Sequence, residues 1–338
     1  MAVRKILGLM LLCLLLRHSG VAQTANPQNY QYVFTVAKDS SGQYTYIQDA
    51  INAMRVYPLA RIVLYIKNGV YNEKIELPET NVDVSFIGES VEKTIIVFND
   101  YSGRGKLNTF TSYTAKISGN RFVAENITFS NNAGRVGQAV ALYVNADKAV
   151  FKNCRFLGDQ DTIFAGGEDA RQYFKDCYIE GTTDFIFGPA TALFENCTIH
   201  AKTDSYITAA STTPGKKFGL VFLNCNITVD PSVKKLYLGR PWRSNAKTAF
   251  IGCAMPAPVV AAGWDNWGNI ANETTVLYAE YKNSGPGAAT ADRAKWSKQL
   301  TETEARLYTA ENIFGISKME DNWVKNVPVE AFKWPGKN

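Results

Sequence analysis

The stretch Val150-Phe-Lys-Asn-Cys154-Arg-Phe156 is one copy of a seven-residue block that recurs through the middle of the chain. Its positions are apolar, mostly aromatic, variable, Asn, Asp or Gly, small apolar, variable and apolar. Alternating apolar positions predict short strands, and the Asn or Asp predicts a turn or bend. At the fifth position, successive copies lie 27, 23, 20, 28 and 28 residues apart. The other copies are residues 123–129, 173–179, 193–199 and 221–227, with a degenerate copy at 249–255 that ends the series.

The period of this block predicts the architecture. A leucine-rich repeat has a similar period, but its ladder of leucines is missing, and the blades of propellers are longer. Short strands at this spacing instead predict an all-β fold, a right-handed single-stranded parallel β-helix with short helical caps. In such a fold, equivalent residues of successive coils stack about 4.8 Å apart.

Five cysteines occupy the fifth position of successive blocks, and we expect them to form an inward-facing column. The column is either a buried stack of small apolar side chains or a stack with one bridged pair, such as Cys177 with Cys197. Metal binding is not indicated, because there is no close Cys-x-x-Cys pair and almost no histidine. The five are Cys154, Cys177, Cys197, Cys225 and Cys253.

Helical patterns flank the repeat region and predict the caps. Thr45-Tyr-Ile-Gln48 has the form of a capping box, and it predicts an amphipathic helix that continues to about Val56 and seals the first coil. Residues 301–309 predict a second short helix. Residues 61–66 and 82–87 predict the first strands, and no linker divides the chain.

The first 22 residues predict an export signal, with a charged start, an apolar run and small residues before a cleavage site after Ala22. The apolar run is too short to span a membrane. Residues 23–338 then form one predicted domain, secreted or periplasmic and monomeric. The net charge is +5 for the whole chain and near +2 without the signal, because the signal contains three basic residues and no acidic ones. So small a charge predicts neither a nucleic acid nor a membrane as partner.

Two acidic residues follow consecutive blocks at the same distance. Asp161 lies seven residues after Cys154, and Asp184 lies seven residues after Cys177. If both coils run alike, the two carboxylates stack on one face of the β-helix. Gln138 lies sixteen residues before Cys154, as Asp161 does before Cys177. We therefore expect Gln138, Asp161 and Asp184 to form one column.

Spacing alone does not single out a catalytic pair, because Asp204 lies seven residues after Cys197. Asp184 differs in its setting, an aromatic strand where an unpaired carboxylate would be costly. It needs a cation, and the best candidate is Arg240 in the stretch Leu238-Gly-Arg-Pro-Trp-Arg243. An ordinary, partly buried ion pair fits this spacing as well as a catalytic one does.

Four segments that contain these residues together resemble the signature segments of the pectin methylesterase family. Each is weak alone, but four in order at suitable spacing are specific, and the resemblance extends over nearly the whole chain after residue 22. The segments are Gly137-Gln-Ala-Val-Ala141, Gly158-Asp-Gln-Asp-Thr162, Asp184-Phe-Ile-Phe-Gly188 and Leu238-Gly-Arg-Pro-Trp242.

The resemblance implies a carboxylic ester hydrolase without cofactor or metal that removes methyl esters from homogalacturonan, the backbone of pectin. Carried over by motif, Asp184 is the expected nucleophile and Asp161 the expected general acid and then base. Gln160 and Gln138 are expected to stabilise the oxyanion, and Arg240 to hold Asp184. The resemblance also implies aromatic residues in the cleft at Tyr143, Phe164, Phe187 and Trp242. Phe164 departs from the family, in which tyrosine is frequent at that position.

These residue types suit ester hydrolysis. Asp184 must be ionised to attack a carbonyl carbon, and a neighbouring Arg240 favours that state. Asp161 must begin protonated to supply a proton to methanol, and a nearby negative carboxylate raises its pKa. Each glutamine amide that faces the developing oxyanion stabilises the transition state by about 3 kcal/mol.

Other functions fit less well. A serine triad is poorly supported, since Gly-x-Ser-x-Gly is missing and His200 is the only histidine after the signal; we expect it to be a packed or surface residue. A β-helix polysaccharide lyase would bind calcium through Asp159, Asp161 and Asp184. A non-catalytic carbohydrate-binding β-helix and a hydrolase of acyl thioesters are further alternatives. Release of methanol from esterified pectin without calcium separates the ester hydrolase from all three.

Overall fold

Short parallel strands make up most of the regular structure. The computed structural model describes residues 30–256, 258–317 and 322–325, so the expected export signal lies outside the described residues. In chain order the strands are β1 (Val33–Val36), β2 (Ile62–Ile66), β3 (Gly69–Asn72), β4 (Ile75–Leu77), β5 (Val84–Gly88), β6 (Thr94–Phe98), β7 (Ala115–Ile117), β8 (Val123–Glu125), β9 (Thr128–Asn131), β10 (Leu142–Val144), β11 (Ala149–Lys152), β12 (Arg155–Leu157), β13 (Ile163–Ala165), β14 (Arg171–Lys175), β15 (Tyr178–Gly181), β16 (Ile186–Gly188), β17 (Thr191–Glu195), β18 (Thr198–Ala201), β19 (Ser205–Ala210), β20 (Leu220–Leu223), β21 (Asn226–Val229), β22 (Leu236–Pro241), β23 (Lys247–Ile251), β24 (Leu277–Tyr281) and β25 (Lys298–Gln299).

These strands form three parallel sheets that the chain visits in turn. The first sheet has 11 strands in the order β1-β2-β5-β8-β11-β14-β17-β20-β23-β24-β25. The second sheet contains every third strand from β4 to β22, and the third sheet every third strand from β3 to β21. Each coil therefore adds one strand to each wall, and the predicted parallel β-helix is confirmed. No helix in the described residues is long and apolar enough to cross a membrane.

The fourth residue of each block turns the chain from the first sheet towards the third. In all six blocks its φ is positive, from 48° at Asn153 to 64° at Gly252. Asn, Asp and Gly adopt this left-handed conformation at lower cost than other residues, which explains the residue types at this position. The predicted turn is thus confirmed. The six residues are Asn126, Asn153, Asp176, Asn196, Asn224 and Gly252.

The aromatic position of the block builds the core. Five consecutive coils place a phenylalanine there, and the ring centroids of neighbours lie 4.8, 4.6, 4.7 and 4.3 Å apart. Stacked pairs of this kind contribute about 0.5–1.5 kcal/mol each beyond the area that they bury. The stack consists of Phe151, Phe174, Phe194, Phe222 and Phe250, all fully buried.

The cysteine column is a stack of buried free thiols. All five side chains are unbridged, so the buried-stack interpretation is confirmed and the alternative bridge between Cys177 and Cys197 is absent. Four of the five sulfurs lie near a backbone carbonyl of the preceding coil, as Cys225 does at 3.3 Å from the Phe194 oxygen. Burial raises the pKa of Cys154 to about 12, which keeps this thiol protonated.

The series of coils continues beyond the degenerate block at residues 249–255. Strand β24 pairs with β23 so that Glu280 stands opposite Phe250. The expected end of the series is therefore wrong, since one more coil follows. The sequence pattern missed this coil because it carries Glu280 where the earlier copies have an aromatic residue. Glu280 is buried, and Arg293 pairs with it at 2.8 Å.

The N-terminal cap differs from its prediction at both ends. Helix α1 (Ile47–Ala53) buries its apolar face as expected but ends before Val56. The expected capping box is wrong, because the N-cap is Tyr46 and its side chain makes no capping hydrogen bond. The Gln48 side chain instead accepts from the Glu76 backbone N–H at 2.8 Å and donates to the Glu76 carbonyl at 3.3 Å. The Gln48 side chain, which the sequence pattern predicted would cap the helix, therefore bonds to the edge strand β4 instead.

At the other end, the helix predicted over residues 301–309 is shorter, α2 (Glu302–Ala305), and begins with a capping box. A further helix, α3 (Ala310–Phe314), packs on the outer face of the first sheet. The strands predicted at 61–66 and 82–87 are β2 and β5. Three 3₁₀ turns complete the described structure, Thr109–Thr111, Ile270–Thr274 and Pro286–Ala288.

Candidate active site

Asp161 and Asp184 occupy the same place in consecutive coils, each two residues before a strand of the second sheet. Strands β13 and β16 pair with Ile163 opposite Ile186, which sets the two acids opposite each other. Both have a positive φ, 66° and 51°. Each backbone N–H bonds to the next coil; that of Asp184, for example, donates to the Tyr206 carbonyl at 2.9 Å. The two carboxyl groups therefore lie on one face, as their spacing predicted.

Gln138 does not continue this column. An isolated parallel bridge pairs it with Gln160, the residue before Asp161, so the expected column is wrong at its first member. The cause is an uneven register. The bridge joins residues 160 − 138 = 22 positions apart, whereas β10 and β13 pair residues 21 apart, as in Leu142 with Ile163. Both glutamine side chains nevertheless line the same cavity as the two acids.

Arg240 comes from β22, two strands further along the second sheet than β16. Its Nε and Nη2 donate to the two carboxylate oxygens of Asp184 at 3.0 and 2.7 Å. The rings of Tyr206 and Trp267 cover its guanidinium at 3.9 and 3.8 Å from their centroids. This bidentate geometry fixes the plane of the carboxylate, and the rings restrict the guanidinium.

The two acids differ in protonation. Burial, and after it repulsion from Asp184, raises the pKa of Asp161 to about 8. Burial also raises the pKa of Asp184, but the hydrogen bonds and the charge of Arg240 oppose that rise. Asp161 therefore has the stronger tendency to hold a proton at neutral pH, while Arg240 favours the charged form of Asp184.

A column of side chains on the outer face of the second sheet shapes the cavity. Tyr143, Phe164 and Phe187 are register partners, and their ring centroids lie 4.8 and 5.0 Å apart. The next two positions of the column are Ala209 and Arg240. The change from phenylalanine to alanine leaves an open space over β19, and a cavity of about 230 Å³ lies there, lined by both acids.

The four expected cleft aromatics divide into two pairs. Phe187 and Trp242 line the cavity, with ring centroids 5.9 Å apart. Tyr143 and Phe164 belong to the same aromatic cluster but do not line this cavity. The structure thus brings all four rings to one face and only two of them to the acids.

Two aromatic residues that sequence reasoning missed also line the cavity, Phe110 and Trp267. The Phe110 ring lies 5.1 Å from that of Phe164 and 6.4 Å from that of Trp242. Both residues lie outside the repeat blocks, in connections between strands, so the periodic pattern contains no signal for them.

Asp204 and His200 lie outside this cavity. The Asp204 carboxylate accepts hydrogen bonds from the backbone N–H groups of Lys234 and Lys235 at 2.6 and 3.0 Å, which is a structural role. His200 lies on β18 in the third sheet, and its Nε2 is 3.0 Å from Asp230. It is a partly exposed surface residue, as expected.

The calcium alternative required Asp159 to join the two acids. Asp159 instead pairs with Lys202 at 3.0 Å and with Arg135 at 3.7 Å. Cations of the protein therefore pair with Asp159 and Asp184, so the three acids of this alternative are not all free to bind a metal ion. Within the described ranges, no group of three or more His, Cys, Asp or Glu side chains is arranged to hold one.

Comparison with known proteins gives one consistent result. The family model described as Pectinesterase matches residues 33–317. Pectinesterase 31 of Arabidopsis thaliana is 39% identical over 281 residues, which cover 80% of this chain and 88% of that protein. Pectin methylesterase from carrot superimposes with a TM-score of 0.81 at 32% identity, covering 89% of this chain and 96% of the other.

A mutant pectin methylesterase solved in complex with a hexasaccharide has a TM-score of 0.72 at 30% identity, covering 84% of this chain and 97% of its own. Other curated relatives, among them a probable pectinesterase/pectinesterase inhibitor of Arabidopsis thaliana at 41% identity, are longer. The match covers 81% of this chain but only 50% of that relative.

Proposed function

Since this chain belongs to the pectinesterase family and is a carboxylic ester hydrolase, we propose that it hydrolyses the methyl esters of homogalacturonan with Asp184 as the nucleophile. The products are free galacturonate carboxylates and methanol. The observation that carries the proposal is the unequal pair of acids in one cavity. Two hydrogen bonds from Arg240 favour the anion of Asp184, and burial favours the protonated form of Asp161 beside it.

The first step is attack by a carboxylate oxygen of Asp184 on the C6 carbonyl carbon of a galacturonate ester. Arg240 favours the ionised form and fixes the plane of the attacking group through its two hydrogen bonds. Ala209 leaves the space in which the ester lies. A tetrahedral intermediate results, with negative charge on the former carbonyl oxygen.

Gln138 and Gln160 supply the amide groups that face this oxygen. Their backbones are paired and both side chains line the cavity, which supports a role for both amides at the same oxygen. A donor that is in place before the reaction stabilises the developing charge without reorganisation, which is the reason for its large effect.

Asp161 moves the proton in both halves of the reaction. As the intermediate collapses, the proton of Asp161 passes to the methoxy oxygen and the C–O bond breaks. Methanol departs, and the galacturonyl group remains on Asp184 as an acyl-enzyme. The Asp161 carboxylate then accepts a proton from the attacking water. Collapse of the second intermediate releases Asp184 as an anion and the galacturonic acid, which loses its proton to solvent.

The experiment is a methanol-release assay on highly methylated pectin, in calcium-free buffer with EDTA. We expect full activity of the wild type there, and a loss of about a thousandfold or more in Asp184→Asn. The matched control is Asp204→Asn, an acid at the same distance from its block that lies outside the cavity. Unsaturated sugar products, or a requirement for calcium, would favour the lyase instead.

Three further expectations stay predictions of the proposal. The protein is exported through residues 1–22, acts as a monomer, and has pectin as its polymeric partner without nucleic acid or membrane. The N-terminal sequence of the protein recovered after expression tests the cleavage after Ala22. Sedimentation of the purified protein tests the monomer.

A further inference from the structure

A third carboxylate, that of Asp265, lies near the candidate active site in the coil that follows Arg240. An isolated parallel bridge pairs Gly239 with Trp264, so the next residue, Asp265, stands beside Arg240. The Asp265 backbone N–H donates to the Gly239 carbonyl at 3.2 Å, which supports this register. In the described structure the guanidinium donates to Asp184 and not to Asp265. Arg240 therefore has one acid that it bonds in an earlier coil and a second, unbonded acid in the next coil.

The Asp265 side chain supports the conformation of Trp267. Its Oδ1 accepts a hydrogen bond from the Trp267 backbone N–H at 2.7 Å, which closes an Asx turn. Trp267 has a φ of 65°, in the left-handed region that a bulky residue rarely adopts, so this conformation needs support from its surroundings. The side chain is 37% exposed and lacks the packing that fixes a buried ring. The turn therefore helps to hold the indole on Arg240, 3.8 Å from the ring centroid.

The charge of Asp265 acts on Asp184. Burial raises the pKa of Asp184, the hydrogen bonds and charge of Arg240 lower it, and the negative charge of Asp265 raises it. Two like charges oppose each other's ionisation, which is the physical cause of the last effect. Burial also raises the pKa of each other titratable group near Asp184, so all of them are neutral at the pH where this acid ionises. These groups are Asp161, Tyr206 and Tyr278.

We propose that Asp265 is a positioning residue with two opposite effects on the nucleophile: its turn holds Trp267 on Arg240, and its charge opposes ionisation of the attacking carboxylate. The inference rests on the proposed function and deepens it with a residue that does not line the cavity. The turn favours activity, because a restrained guanidinium keeps the carboxylate ionised and in plane. The charge moves the onset of activity to higher pH. Asp265 thus adjusts the acidic limb of the pH profile, the rise of kcat/KM as Asp184 ionises.

Asp265→Asn isolates the charge, because an asparagine side chain closes the same turn without it. We measure kcat/KM for methanol release from highly methylated pectin, whose low charge limits general electrostatic effects. Since Asp184 then ionises more readily, we expect the acidic limb to move to lower pH by about 0.2–0.7 pH units, the range for one exposed charge pair. High salt should reduce this shift. The basic limb should stay in place, because the pKa of Asp161 depends on burial, Asp184 and Arg240.

Asp265→Ala removes the charge and the turn together, so its difference from Asp265→Asn isolates the turn. We expect a kcat several-fold lower than in Asp265→Asn and an acidic limb at higher pH than in that variant, because Trp267 restrains Arg240 less. In a Trp267→Leu background this difference should disappear, since the turn then has no ring to hold. A purely structural effect of Asp265 would persist in that background.

The matched control is Asp39, whose Oδ1 accepts from the Ser41 backbone N–H at 3.0 Å in the same kind of turn, outside the cavity. Neither Asp39→Asn nor Asp39→Ala should move the acidic limb. An unmoved limb in Asp265→Asn, the same shift in Asp39→Asn, or equal kcat in Asp265→Ala and Asp265→Asn would overturn the role of Asp265. Wild-type protein that releases no methanol would instead overturn the proposed function.

Discussion

Two arginine–carboxylate pairs in this molecule look alike and differ in what they can do. Arg240 holds Asp184 at 3.0 and 2.7 Å, and Arg293 holds Glu280 at 2.8 and 3.2 Å, both through Nε and Nη2. In the second pair it is the carboxylate of Glu280 that continues a column of phenylalanines, next to Phe250. In the first pair it is Arg240, which stands beside Ala209 in the column that contains Phe187.

The surroundings of the two pairs differ. Arg293 makes five hydrogen bonds, two to Glu280 and three to backbone carbonyls, so all its donors are used. Trp264 donates to Glu280 as well, at 3.1 Å. The side chains of this pair are 4% and 1% exposed, against 21% and 8% for Arg240 and Asp184.

The pair at Glu280 is closed to solvent, and it lies at the end of the stack of core phenylalanines, next to Phe250. The pair at Asp184 opens onto a cavity, has aromatic rings and not carbonyls around its guanidinium, and lies beside a second, protonated acid. A paired carboxylate is therefore no sign of catalysis by itself. The open side and the neighbouring proton make the difference.

Replacing each arginine by methionine is the strongest test of the difference between the two pairs. In Arg240→Met, Asp184 loses the cation that favours its ionised form but stays open to the cavity, so we expect methanol release to fall about a hundredfold or more, with a smaller change in unfolding free energy than in Arg293→Met. In Arg293→Met, the charge of Glu280 is left buried and unpaired, and the unfolding free energy falls by about 3–5 kcal/mol. Denaturant unfolding and the methanol assay on both variants check this. Similar effects on both measurements would make the two pairs equivalent.

The stability of Asp161→Asn sharpens the contrast between the sites. The folded pKa of Asp161, about 8, is above its ordinary value of 3.8, so the folded protein retains a proton that the unfolded chain releases. The unfolding free energy therefore declines as pH rises from about 4 to about 8. Asp161→Asn removes this decline. We expect the variant to be inactive and more stable than the wild type, by a margin that grows over that pH range; a margin independent of pH would contradict the raised pKa.

The pH dependence of activity tests the same two acids. We expect kcat/KM to rise with pH as Asp184 ionises, and to fall above about pH 8 as Asp161 loses the proton that methanol needs. The measurement is methanol release across pH at constant ionic strength. An activity that still increases well above pH 8 would remove Asp161 from the role of general acid.

The smallest expected effect concerns the rings around Arg240. A cation–π contact of this kind contributes about 0.5–2 kcal/mol. We expect Trp267→Leu to lower kcat several-fold and to shift the acidic limb of the pH profile to higher pH, because a less restrained Arg240 favours the Asp184 anion less. Trp267→Phe, which keeps a ring, should recover most of the loss. An unshifted acidic limb would limit Trp267 to contacts with substrate.

Much of the fold was predictable from the repeat block. Its period indicates the β-helix, and its Asn or Asp occupies a left-handed turn in each coil. The last coil was not predictable, because Glu280 takes the place of an aromatic residue. The start of α1 was missed for a similar reason. Gln48 bonds a strand that is distant in sequence, and local capping rules do not include such partners.

The site was predictable where coils are equal in length. Asp161 and Asp184 lie at equal distances from their blocks and stack as expected, whereas Gln138 pairs one residue away because the connection before β10 differs in length. The aromatic family positions were carried over from a resemblance. Phe110 and Trp267 lie in connections without a repeat, where no spacing rule applies.

The sequence by itself determined the winding of the chain and the face on which the two acids meet, because both follow from a local period that each coil repeats. The tertiary structure decided which acid carries the proton and where the cavity opens. Those properties depend on burial, on the guanidinium of a coil two strands away, and on Ala209 standing beside Phe187. Each is a sum over neighbours that are far apart in the chain.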